Sequence, residues 1–377
     1  MQKQHPKLNL ITILKEVPDP RLDRRKLHAL SDVLCIAICA LLCGADSFED
    51  MEAFGEAKSD WLETFLELPH GIPSHDTFNR VFAALDPQRF LDCFLRWTQS
   101  LRAAVAEEIV ALDGKALRRA INQGDCPKVV VSAWAADNGL ALGQLKVHDK
   151  TNEITAVPQL LRVLELAGCI VTLDAMGCQK AIAKEIQEAD AEYVLALKGN
   201  QGRTHAEIKS YLDDAIARGA KELAFVETVD KGHGRLEVRR YWQSGRLDWF
   251  EDRSGWEGLQ SVGVVESERE SNGERTVERR YYLSSLSVEV ERFSRAVRGH
   301  WAIENQLHWV MDVLFKEDQS RARSGYAAEN LATLRRWALN LIKCDQEKTK
   351  RSLKGRMKTA GWDNRYLLHL LGLNLNA

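Results

Sequence analysis

Apolar positions recur along this chain with two different periods, and the change from one to the other divides it. Over roughly the first hundred residues the spacing is helical. The run "VLCIAICALLCGA" from Val33 is apolar on every side; after the loop "PDPRLDRRKLHALSD" it reads as a buried helix from Asp32 to Leu42, with Ser31 as its cap. A second helix follows "GADSF" with Phe54, Trp61 and Phe65 as core. "HGIPSHDTFNRVFAAL" then supplies a turn, Ser74 as a cap and a helix with Phe78, Val81 and Phe82 inward. Helix, turn and helix is the outline of a DNA-reading unit and equally of plain helix packing.

From Glu107 the period shortens. "IVALD", "KVVVSAWAA", "GLALGQLKV", "CIVTLD" and "EYVLALK" are short apolar runs bounded by Gly, Asp or Asn, with helical stretches "TAVPQLLRVLELAG" and "CQKAIAKEIQEA" between them. The predicted order is β-β-β-α-β-α-β, a mixed sheet with helices on its faces. Residues 205–290 break the alternation with further antiparallel strands, an inserted β-region. The helical period then returns in "RGHWAIENQLHWVMDVLFKED", residues 298–318. It sets Ile303, Leu307, Val310 and Leu314 on one apolar face and His300, Glu304, His308 and Asp312 along its border.

Composition narrows the class. A chain of 377 residues, 45% hydrophobic and 28% charged, can bury a full core and form two or three domains. The longest apolar run, roughly 13 residues, is shorter than the ~20 needed to span a bilayer, and no export signal is visible, so a cytoplasmic protein without a membrane partner is expected. The eight cysteines include no CxxC pair and sit among apolar neighbours, as buried free thiols do. The net charge of -2 conceals an uneven division: from Gln319 to Arg365 twelve Lys and Arg face four acids, an excess of +8. Such asymmetry suits a nucleic-acid face and also a solvated helix surface.

The candidate chemistry is carboxylate chemistry. Asp113 closes "IVALD" and Asp174 closes "IVTLD"; at the carboxyl ends of strands in an open α/β sheet, side chains converge on ligands. Glu304 on the later helix is placed to cross the sheet and join them. Three carboxylates in one cleft repel unless a cation neutralises them, and an all-oxygen set suits Mg²⁺ or Mn²⁺. Two such ions roughly 4 Å apart support phosphodiester cleavage. His308 is placed to orient Glu304 or bond a phosphate. A zinc site on the His300, Glu304, His308 stripe is the competing arrangement. "KGHGRLEVRRYW" puts His233, Arg235 and Arg239 beside aromatics, and "LKGNQGR" ends a strand with Lys198, Asn200 and Arg203; both can hold phosphates.

In order along nearly the whole chain, "DPRLDRRKLHALSDVL", "GADSFEDMEAFGE", "GIPSHDTFNRV", "ALDGKALRRA", "KTNEITAVPQLL", "TLDAMGCQKAIA", "ALKGNQG", "HGRLEVRRY" and "HWAIENQLHWVMDVLFKED" resemble the DDE transposases of bacterial insertion sequences, most closely the ISAs-type group that includes the H-repeat-associated proteins. The resemblance implies an α/β fold: a ribonuclease-H-like mixed sheet carrying the triad Asp113, Asp174 and Glu304 over residues 106–318, with the β-insertion at about 205–290. A small helical N-terminal domain (1–105) precedes it and a basic helical C-terminal segment (319–377) follows. It implies two Mg²⁺ ions, with Mn²⁺ as substitute, held by the triad, and Lys115, His300 and His308 in support. It also implies DNA contacts from Lys198, Asn200, Arg203, His233, Arg235, Arg239, Arg298, Lys350, Arg351, Lys354 and Arg356. Where related enzymes carry Tyr, Arg and Lys around the glutamate, this chain has Val297, His300 and Met311, so His300, Arg298 or Lys316 would substitute. The implied activity is binding, cleavage and strand transfer of terminal inverted repeats by a homodimer assembled on DNA. A silent DNA-binding remnant and a nuclease without strand transfer are the alternatives.

Overall fold

In the computed structural model, which describes residues 8–23, 26–103, 105–117, 128–147, 153–232, 235–271 and 274–373, one mixed sheet organises the chain. Six helices precede it: α1 (Leu10–Lys15), α2 (Leu30–Leu42), α3 (Phe48–Ala57), α4 (Ser59–Leu62), α5 (His75–Ala84) and α6 (Pro87–Leu101). The expected alternation follows as β1 (Ile109–Leu117), β2 (Lys128–Ala135), β3 (Leu140–Val147), α7 (Glu153–Val163), β4 (Ile170–Leu173), α8 (Lys180–Glu188) and β5 (Glu192–Leu197). After α9 (Gly202–Ala217) come the inserted strands β6 (Ala224–Gly232), β7 (Arg235–Ser244), β8 (Ser261–Ser271) and β9 (Glu274–Ser284). They do not form a separate sheet. β9 pairs antiparallel with β5, giving the order β3-β2-β1-β4-β5-β9-β8-β7-β6, in which β1, β4 and β5 run parallel and the other neighbours antiparallel.

The two-residue pleat sorts side chains to the two faces. Val110, Leu112, Val171 and Leu173 point to one face, where Val157 and Leu160 of α7, Ile182 and Ile186 of α8 and Ile208 of α9 cover them. Ile170 and Val194 point to the other, under Val290, Phe293, Ala296 and Val297 of α10 (Val290–Ala302). α10 lies unusually close to β1. A Cβ at Gly299 would stand 2.6 Å from Ile109 Cδ1, so only glycine permits this approach.

The chain after α10 departs from the expected uniform helix. Residues Ile303–His308 form a π-helical turn, after which α11 (Trp309–Val313) resumes. Ile303, Leu307 and Val310 are buried as the period predicts, but Leu314 is only half-buried, and Met311 and Phe315 take the core positions downstream. One extra residue in a turn rotates everything after it, which accounts for the change of face.

The first and last helices share a core. α12 (Ala327–Lys343) packs on α2, α5 and α6, with Trp337 centred 5.4–5.5 Å from Phe90, Phe94 and Trp97, while α13 (Leu353–Trp362) and α14 (Asn364–Leu370) close the end. α12 also seals the sheet edge at β3. The Asn340 carboxamide accepts from the Ala141 amide and donates to its carbonyl, both at 2.9 Å, standing in for a missing strand. Two expectations need correction here. α2 begins at Leu30 with Ala29 at its N-cap, and the Ser31 hydroxyl bonds Asp32 rather than capping. The +8 segment is not wholly surface: Arg335 and Arg336 are buried, the latter paired with Glu317 at 2.8 Å. Among the described residues no helix is long and apolar enough to cross a membrane.

Candidate active site

Asp113 does not end its strand. β1 runs on to Leu117, with Asp113 opposite Ser132 of β2, but its parallel pairing with β4 stops at Leu112–Leu173. Asp113 therefore stands where β1 and β4 part. Its parity with Ala111 turns it toward the face crossed by α10. Asp174 does end its strand. One oxygen accepts the amides of Met176 and Gly177, at 3.0 and 3.3 Å, as the N-cap of a short 3₁₀ turn. Its orientation is thus fixed by backbone. Glu304 enters from the π-helical turn, half-exposed.

These three carboxylates line one cavity of about 200 Å³ with Thr172, Lys198, Arg280, Tyr282, His300 and Trp301. Burial first, and then the charges of Glu304 and Asp174, push the Asp113 carboxyl well above the usual carboxylate range, to about 8. The site thus carries more negative charge than its surroundings compensate. Among the described residues, Asp113 Oδ2, Glu304 Oε2 and His308 Nδ1 form a group close enough to share an ion: the nitrogen is 3.4 Å from Asp113 and 3.6 Å from Glu304. Asp174 lies in the same cavity but outside that group. His300 does too: its Nδ1 bonds the Thr172 hydroxyl at 3.0 Å, so the His300, Glu304, His308 zinc stripe is not assembled.

Lys115 sits behind the carboxylates. Its buried ammonium is held by Asp312 and by Glu317 at 2.9 Å, and Glu317 is bonded in turn by Arg336. Burial alone would raise the Glu317 carboxyl, but Arg336, Lys115 and Arg335 hold it down at about 2. This network joins β1, α12 and the end of the Glu304 helix. Burial, reinforced by Arg336 and Lys115, lowers the His308 imidazole to about 4, so it is neutral at pH 7. Burial likewise lowers His300 to about 4, against the pull of Asp174.

The expected DNA contacts divide. Lys198 lines the cavity, whereas Asn200 donates to the Ala175 carbonyl at 2.7 Å and so ties two loops together. Arg203 is paired with Glu207 and Glu251, Arg239 is buried against Asp230 and Glu237, and Arg298 is 3.5 Å from Asp230. Of Arg235 only the backbone is described, pairing with Gly232, and His233 lies outside the described residues. Lys350 and Lys354 are exposed; Arg351 bonds Thr359, and Arg356 donates to the carbonyls of Ile342, Thr349 and Arg351. These two arginines hold the chain's own end together. Of the proposed substitutes for the missing Tyr, Arg and Lys, His300 is at the cavity, but Lys316 pairs with Asp46.

Arg280 and Trp301 were not anticipated. The guanidinium lies 4.7 Å from the centre of the Trp301 ring at the cavity wall. The strand "RRYYL" carries the signal, because Arg280 shares the parity of Tyr282 and must face α10.

The sequence matches the family described as "Transposase DDE domain" over residues 106–341, and the one described as "DDE_Tnp_1-associated" over residues 11–98. The chain belongs to the DDE transposases, in the group of the H-repeat-associated proteins. It is 37% identical over 369 residues to "Putative transposase YncI" of Escherichia coli O157:H7, covering 96% of this chain and 94% of that one. It is 36% identical over 364 residues to "H repeat-associated putative transposase YhhI" of Escherichia coli (strain K12), covering 94% and 95%. A piggyBac transposase synaptic complex with hairpin DNA aligns at a TM-score of 0.43 and 11% identity, covering 98% of this chain and 79% of that one, too distant for any residue to be carried across.

Proposed function

We propose that this chain is an insertion-sequence transposase that binds the terminal inverted repeats of its own element, cleaves DNA there and transfers the freed 3′-OH strand to target DNA. The observation that carries this reading is the cavity that Asp113, Asp174 and Glu304 line together, with no lysine or arginine in ion-pair distance of them among the described residues. The strand order β3-β2-β1-β4-β5 beneath it, extended by the inserted strands, supports reading the sheet as a ribonuclease-H-like core.

The donor set fits divalent cations. Carboxylate oxygens suit Mg²⁺ or Mn²⁺, and Asp113, Asp174 and Glu304 are the residues that would hold two of them. Bound there, such ions supply Lewis-acid activation of the attacking oxygen and stabilisation of the leaving one. The chain's own residues do the rest. Asp174 is presented with one oxygen locked by amides and the other without a partner among the described residues. Lys198 offers positive charge at the cavity wall for phosphate oxygens. Gly299 lets α10 press onto β1, which sets the reach of Glu304. Lys350 and Lys354 add phosphate contacts outside the cavity. Transfer of two element ends requires them to be paired, so we assign the active form as a homodimer on DNA, in the cytoplasm.

Incubation with labelled element ends, Mg²⁺ and a target plasmid tests the proposal. Nicked ends and joined products are expected. Nicking without joining would make the protein a nuclease, and binding without either would make it a silent remnant.

A further inference from the structure

His308 stands beside Asp113 and Glu304, and the reading above does not use its placement. It is almost fully buried, at 6% exposure, yet among the described residues Nε2 has no hydrogen-bond partner, while Nδ1 is turned to two carboxylate oxygens, 3.4 Å from Asp113 and 3.6 Å from Glu304. Leaving a buried ring nitrogen unpaired is a cost that an apolar side chain of similar volume would avoid. Its surroundings point toward the cavity. The π-helical turn, closed from the Glu304 carbonyl to the Trp309 amide, is wider than an α-turn and brings residues four apart more nearly into line, so Glu304 and His308 face Asp113 together. Ligands about 2.1 Å from one ion and at right angles stand about 3 Å apart, and somewhat more at wider angles. The Nδ1 distances are those of neighbouring ligands around a shared ion.

We propose that His308 completes a ligand set with Asp113 and Glu304, so that the ion held there is bound through one imidazole nitrogen as well as carboxylate oxygens, and a first-row transition ion is favoured over Mg²⁺. The inference rests on the metal-dependent reading above. Mg²⁺ takes oxygen ligands and keeps its waters, whereas imidazole nitrogen is a good donor to transition ions. The other ion, between Asp113 and Asp174, retains an oxygen-only set. The two positions therefore differ in selectivity within one cavity.

The test uses full-length protein stripped with chelator and titrated with Mn²⁺, with free ion counted by electron paramagnetic resonance and bound ion examined by electron spin-echo modulation. A ¹⁴N coupling is expected in the parent protein and in His300→Gln, and its loss in His308→Gln. His308→Gln should weaken Mn²⁺ on the order of tenfold while changing Mg²⁺, measured by competition, far less. Should Mn²⁺ bind the parent and be lost in Asp113→Asn, yet show no ¹⁴N coupling, His308 is not a ligand and the metal reading still stands. Absence of Mn²⁺ binding to the parent overturns both. The parent and His300→Gln spectra decide the matter even if His308→Gln does not fold.

Discussion

The acids of β6–β9 and the acids beside β1 and β4 belong to one sheet, yet their surroundings are opposite. On the inserted strands most carboxylates meet an arginine: Arg240 bonds Glu227, Glu266 and Glu268, Arg279 bonds Glu266 and also Asp213 of α9, and Arg269 bonds Glu237. At the cavity, among the described residues, no lysine or arginine lies within ion-pair distance of Asp113, Asp174 or Glu304; the nearby Lys115 is spent on Asp312 and Glu317, and Arg280 on Glu278. The contrast separates charge that holds a sheet together from charge left without a basic partner among the described residues. It also warns that counting acids along a sequence cannot tell the two apart.

The sharpest break of the comparison comes from neutralising each side in turn. Asp113→Asn, Asp174→Asn and Glu304→Gln should each lower cleavage of labelled ends by roughly a thousandfold or more while DNA binding and folding persist. Any one of them retaining cleavage would remove that residue from the machinery.

Next in size is Gly299→Ala, which puts a methyl group 2.6 Å from Ile109 Cδ1 and must push α10 off β1. A loss of about 1–3 kcal/mol in denaturant melts is expected, with cleavage falling further than stability because Glu304 moves with the helix. Unchanged cleavage at reduced stability would show that its reach does not depend on this contact.

The uncompensated side should also show in pH. The folded chain keeps a proton on Asp113 up to about 8, whereas the ordinary value is 3.8. A group raised on folding stabilises fully below its unfolded value and loses that contribution as pH rises through the folded one. Metal-free protein should therefore lose melting temperature between pH 4 and pH 8, and Asp113→Asn should flatten that slope. Saturating Mn²⁺ should do the same. A parental slope that survives the substitution would place its cause elsewhere.

Smaller effects come from the surfaces. Replacing Lys350 and Lys354 together should reduce the salt slope of DNA binding by about one unit per contact, measured on cognate and scrambled ends alike. On the ladder, Glu227→Gln should cost only about 0–1 kcal/mol and leave cleavage unchanged, because its bond to Arg240 is solvent-exposed and exposed pairs contribute little singly. A large loss of activity there would blur the distinction drawn above.

Much of this arrangement is legible in the residues themselves. The alternation of apolar runs marks five strands in their order, and the ends of "IVALD" and "IVTLD" with the helix at 298–318 mark the three carboxylates that line the cavity. What escapes has identifiable causes. The π-helical turn contains no Gly or Pro; its extra residue shows only in which side chains are later buried, Met311 and Phe315 in place of Leu314. Arg335 and Arg336 read as surface charge because their partner Glu317 meets them only through tertiary packing. Arg351 and Arg356 belong to the same error. A count of +8 treats every guanidinium as solvent-facing, while two of these hold the chain's end together and two are buried.

The Asn340 clamp on β3 has a consequence for what can be watched in solution. The Ala141 amide is a sheet-edge amide, and its protection comes from a side chain 199 residues later in the sequence. Its exchange with deuterated solvent should follow the departure of α12 from the sheet, not the opening of the strand itself. The neighbouring β2–β3 amides should exchange on a different, slower schedule. A single backbone proton thereby becomes a gauge of how firmly the last helices stay docked on the sheet.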